Sequence, residues 1–83
     1  MGLEGFELAI AIEESFGIKL SDTETAESVT VGDIVDLAWS KVNSRGNWSE
    51  TGVREVVHQH IREYLGVKAC QDSDRLVEDL GME

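Results

Sequence analysis

The residues Val53, Val56, Val57, His60, Ile61 and Tyr64 recur at intervals of three and four along the chain. That is the period of one face of an α-helix, and no alternating pattern elsewhere suggests a sheet. A chain of 83 residues supports one domain, burying about 60 to 65% of the surface its unfolded form exposes. The helical face must therefore find its cover within the same small core. Ser49 is placed to cap this helix, with Trp48 and Val53 spaced as a hydrophobic staple, and Gly66 ends it.

Two further helices follow from the same reasoning. Leu8, Ile12 and Phe16 fall four apart between Leu3 and Phe16, Phe6, Ala9 and Ile10 widen the stripe, and Gly17 is a stop. Thr30 with Asp33 three residues later forms a variant capping box that opens a helix through Val31, Ile34, Val35, Leu37, Ala38 and Val42. A short helical turn is expected near Glu24 to Ser28, and Asn43 to Asn47 are turn formers marking a linker. The stretch from Val67 reads as a long loop pinned by Val67, Ala69, Leu76, Val77, Leu80 and Met82. The fold class expected is all-α, a small four-helix bundle. Val53, Val57 and Ile61 should pack with Leu8, Ile12, Phe16, Ile34 and Leu37 in one core.

Seventeen acidic residues against seven basic ones give a net charge of −10. This argues against nucleic acid as a partner, because cations are needed to displace the counterions of the phosphates. It argues for a basic protein surface. The excess is uneven, with nine carboxylates and the single base Lys19 through Asp36. No apolar run approaches the roughly 20 residues that span a bilayer, and no leader pattern stands at the start. A soluble, cytoplasmic protein with no membrane partner is expected.

The candidates for chemistry are sparse. Cys70 is the one cysteine, and no cysteine and histidine spacing matches a zinc site. His58 and His60 point about 200° apart on a helix and cannot form a metal pair; His60 belongs to the apolar stripe. Adjacent carboxylates such as Glu13 and Glu14, or Glu78 and Asp79, are expected from the charge surplus alone. Met1-Gly2 invites comparison with a myristoylation signal, but Phe6 stands where serine or threonine is wanted. The chain reads as no enzyme, without a metal site.

Leu65 to Gly81, LGVKACQDSDRLVEDLG, resembles the end of the first helix and the following loop of acyl carrier proteins. Gly2 to Leu20, GLEGFELAIAIEESFGIKL, resembles that family's second helix, and TVGDIVDLA, Thr30 to Ala38, the start of its last helix. Placed head to tail, Leu76 to Glu83 and Gly2 to Phe16 read as one family segment broken only by Met1. The resemblance implies a circularly permuted acyl-carrier-like bundle with helix order II, III, IV, then I. Residues 1–42 match family helices II to IV, 43–48 form the linker, and 49–83 match helix I and its loop. Joining old termini and opening new ones is tolerated in exposed backbone.

The family carries 4′-phosphopantetheine on a serine at the start of its second helix, where a helix N-terminus favours the phosphate. The matching residue here is Gly2, which offers no nucleophile, so no cofactor is expected. Asp72-Ser73-Asp74 superficially resembles the attachment motif, but Ser73 precedes the wrong segment, and Cys70 is the other residue that could carry a group. The resemblance also assigns partner contact to Glu4, Glu7, Glu13 and Glu14. The function so implied is a non-carrying docking module near fatty-acid or polyketide-type biosynthesis, its partner the basic surface of an enzyme such as an acyl-transfer or condensing enzyme. Two alternatives stand beside it: a working carrier modified at an unexpected residue, and a structural domain forming an exchanged homodimer rather than a monomer.

Overall fold

Four helices run in the order α1 (Leu3–Phe16), α2 (Asp22–Glu27), α3 (Val31–Val42) and α4 (Glu50–Leu65). The computed structural model of the protein describes residues 3–43 and 46–81, and for residues 3–5 and 22 the backbone alone. The all-α expectation holds among these residues. The α4 helix packs against both α1 and α3, which touch each other less. Its stripe forms the centre of the core: Val53, Val57 and Ile61 are fully buried and meet Leu8, Ile12, Phe16, Ile34, Val35, Ala38 and Val42.

The helix ends are set by local chemistry. Gly17 takes φ +67° after α1, and the Ile18 N–H donates to the Glu13 carbonyl at 3.1 Å, the long bond of a Schellman end, while the Ile18 side chain is buried. Gly66 closes α4 in the left-handed region at φ +68°. Ser49 caps α4 through the Gly52 N–H at 3.0 Å. Trp48, expected to staple onto Val53, is half-buried, packs its ring near Gly52 and meets Phe16 edge-on at 4.8 Å between centroids. The short α2 is two residues earlier than expected at its start. Ser21 accepts from the Glu24 N–H at 3.0 Å and Glu24 accepts from the Ser21 N–H at 3.1 Å, a complete capping box.

The segment after α4 is held by more than apolar contacts. An α-helix leaves its first backbone N–H groups without internal partners. In α3 the Val31 N–H donates to the Asp74 carbonyl at 2.9 Å and the Gly32 N–H to the Asp72 carbonyl at 2.8 Å. Asp33 N–H is taken by Thr30 Oγ1 at 3.1 Å, while Asp33 Oδ2 accepts from the Val29 and Thr30 N–H groups. The post-α4 segment thus supplies two of the acceptors that α3 lacks. An isolated antiparallel bridge between Thr30 and Arg75 continues the pairing, the Leu76 N–H reaches the Val29 carbonyl at 2.8 Å, and the Leu76 side chain is fully buried.

Three expectations about burial are corrected. Leu37 is half-buried, because Val31, Ile34, Val35, Ala38 and Val42 already fill the inward face of α3. Phe6 and Ile10 do not join the core: they are 56% and 37% exposed, on the side of α1 opposite Leu8, Ile12 and Phe16. Ala69 and Val77, named among the apolar residues pinning the loop, are both exposed, Val77 by 62%. The 3.6-residue period identifies a stripe but does not say where its edge falls when only two helices are available to cover it.

Candidate functional site: the outer face of α1 and its groove with α4

The apolar and acidic residues of α1 that miss the core lie together. Phe6, Ile10, Glu7 and Glu14 share the outward side, since positions three, four and seven apart lie on one helical face. Glu7 and Glu14 are exposed, and among the described residues no ion pair reaches either of them. Glu13 differs: it is half-buried and its Oε2 accepts from the Leu20 N–H at 2.7 Å, holding the chain where it leaves α1. Of the four glutamates assigned to partner contact, Glu7 and Glu14 stand free, Glu13 has a structural bond, and the Glu4 side chain lies outside the described residues. Gly2 also lies outside them.

Beside this face, α1 and α4 enclose an open groove of about 590 Å³. Glu7, Ile10 and Glu14 form one wall, Tyr64 the other, and Ser15 and His60 line it between them. Ser15 Oγ and His60 Nε2 are 2.6 Å apart, and the His60 ring sits 6.2 Å from that of Tyr64, tilted by 59°. Sequence alone gives no reason to pair Ser15 with His60, which are 45 residues apart. A hydroxyl on an imidazole is the start of a nucleophile and base pair. Here the remaining features oppose that chemistry. Among the described residues His60 Nδ1 is buried with no hydrogen-bond partner, so no third group orients the ring as a base. Ser15 is also the penultimate residue of α1, at the negative end of the helix dipole, with no basic residue in that last turn and two carboxylates close by. A developing oxyanion would be disfavoured there, whereas a cation would be stabilised.

The other singled-out residues sit on the opposite side of α4. His58 Nε2 lies 2.7 Å from Asp72 Oδ1 and Arg54 Nε donates to Asp72 Oδ2 at 2.8 Å, while Arg54 also reaches Glu50 at 3.1 Å. His58 and His60 therefore point apart, as their spacing requires. Asp72-Ser73-Asp74 is a turn docked on the start of α3, with Ser73 exposed and Asp74 Oδ2 accepting from the Gln71 N–H at 2.8 Å. Cys70 is half-buried, and burial pushes its thiol up from the ordinary value, which lowers the fraction of reactive thiolate. Among the described residues no group of three or more metal-binding side chains is gathered, and no helix is long and apolar enough to cross a membrane.

No protein-family model matches the chain, nor does any curated protein or solved structure. The site's two carboxylates, its exposed apolar side chains and its negative helix end make a surface complementary to a basic and partly apolar one.

Proposed function

We propose that the protein is an acidic docking domain of the acyl-carrier type, with its helices in permuted order and no phosphopantetheine on Gly2. It binds the basic surface of an enzyme such as an acyl-transfer or condensing enzyme through the outer face of α1. The observation that carries this reading is the free pair Glu7 and Glu14 bracketing the exposed Ile10 on that face. Interfaces are built from such apolar anchors within a charged rim, and a monomer gains nothing by leaving Phe6 and Ile10 in water. The permuted arrangement is supported by the position of α4, which packs with α1 and α3 in one core as a family first helix would.

The test is binding to a condensing enzyme of fatty-acid synthesis, followed by fluorescence anisotropy of the labelled protein. Binding should weaken as salt rises, because exposed charges are screened over about 8 Å at physiological ionic strength. Changing both Glu7→Lys and Glu14→Lys should abolish it. Absence of binding to both condensing and acyl-transfer enzymes, or binding untouched by the double change, refutes the reading.

A further inference from the structure

Glu7, Ile10 and Glu14 lie at i, i+3 and i+7 along one wall of the α1–α4 groove. At 1.5 Å per residue the two glutamates are about 10 Å apart along the helix, with the isoleucine between them. Facing them, Tyr64 is 40% exposed, and Phe6 extends the apolar strip one turn beyond Ile10. Ser15 Oγ and His60 Nε2 engage each other at 2.6 Å and His60 Nδ1 is buried away from solvent, so the carboxylates are the exposed groups left wanting a partner. We propose that this groove receives a basic amphipathic helix of a partner protein, with lysines or arginines two turns apart reaching Glu7 and Glu14 and an apolar residue between them seated against Ile10 and Tyr64. The inference rests on the docking function proposed above and adds to it the register of the partner and the participation of α4.

Charge complementarity selects this occupant. The charged groups lining the groove are both negative, the last turn of α1 holds no basic residue, and the chain carries −10 overall. A second copy of this chain would bring like charge to the same wall. A cationic group can also lie over the Tyr64 ring, which favours lysine and arginine further. Helices that meet side by side present i, i+3, i+4 and i+7 anchors to each other, so a wall with acid, apolar and acid at i, i+3 and i+7 is answered by base, apolar and base at the same intervals.

The probe is a capped, fluorescein-labelled helical peptide with lysines at i and i+7 and leucines at i+3 and i+4. Its control has the same composition with the second lysine moved to the far face. The first should bind the full chain, and the control should bind at least about fivefold more weakly. In spectra of the ¹⁵N-labelled protein the amides of Ile10, Ser15, His60 and Tyr64 should shift together. Tyr64→Ala and Glu14→Gln should each weaken the peptide by at least about fivefold, while Glu27→Gln, at an exposed position on α2, should not. Glu14→Gln keeps the size of the side chain, so it tests the site even if Tyr64→Ala disturbs the fold. Equal binding of both peptides, or shifts gathered around Asp72 to Asp79 instead, overturns the groove. A condensing enzyme that binds the whole protein when the peptide does not also overturns it while leaving the docking function standing; failure of both probes removes the docking function as well.

Discussion

His58 of α4 holds Asp72 of the following segment at 2.7 Å, and the carbonyl of the same Asp72 accepts the Gly32 N–H of α3 at 2.8 Å. One residue thereby ties three parts of the chain. Its side chain is 41% exposed and also takes Arg54, so solvent screens part of the interaction. Asp72→Asn is expected to lower stability by about 1 kcal/mol, because the amide keeps the shape but loses the charge-assisted bonds. Urea denaturation checks this. No change in midpoint would show that the backbone bond alone holds the segment.

Acid should unfold the protein through the carboxylates that the folded chain keeps ionised. For Asp72, partial burial pushes toward protonation, but bonds from His58 and Arg54 outweigh it and hold the group below the usual range. Backbone N–H bonds from Thr30 and Val29 lower Asp33, and those of Ser21 and Arg75 lower Glu24 and Asp79. A carboxylate depressed in the folded state contributes stability above its unfolded value of about 4 and loses it as pH falls through the folded value. Tm should therefore decline steadily below about pH 4.5. A flat Tm between about pH 5 and 3 would contradict these shifts.

Ile61→Ala should cost about 2 to 5 kcal/mol, since Ile61 is fully buried where α4 meets the other helices. Against a total of about 4 to 12 kcal/mol for a chain of this size, that is a large share, and the variant should melt at a clearly lower temperature than the parent chain. Far-UV circular dichroism on heating measures it.

Gly32→Ala sets two effects against each other. Alanine is favoured over glycine within a helix by about 1 kcal/mol. At Gly32, however, the new Cβ would stand 3.1 Å from the Asp72 carbonyl oxygen and 3.3 Å from its Cβ. Relieving that contact stretches the bond from the Gly32 N–H, so a net loss of about 1 kcal/mol is expected, with faster hydrogen exchange at Val31 and Gly32. A gain in stability would mean that the segment after α4 can shift at no cost.

The attachment chemistry gives a separate test. Incubated with coenzyme A and a phosphopantetheinyl transferase, the protein should keep its mass, since Gly2 carries no hydroxyl. A closed chain with Met1 removed, Glu83 joined to residue 2, and both Gly2→Ser and Glu83→Asp should gain the mass of one phosphopantetheine. Modification of the natural sequence would identify a working carrier at the mapped residue. A folded closed chain that stays unmodified would remove the equivalence of Gly2 with the family serine.

The extents of α1, α3 and α4 and most of the core are legible in the sequence because each helix carries its own period, stop and cap. Thr30 with Asp33, Ser49, Gly17 and Gly66 act within a few residues of themselves, so local pattern is enough to place them. The box of Ser21 with Glu24 is equally local, and its spacing fixes the start of α2. The acidic excess and the glutamates of α1 are likewise plain in the sequence. Which of those glutamates stands free was decided in space: Leu20 takes Glu13, whereas Glu7 and Glu14 remain unpaired. The exposure of Phe6 and Ile10 depends on how far two neighbouring helices can wrap one stripe, which periodicity does not encode. The same holds for Ser15 with His60 and for Asp72 with His58 and Gly32. Such contacts join residues distant in sequence and form only when packing of the apolar faces brings their elements together, so the groove belongs to the tertiary structure while the helices that line it belong to the sequence.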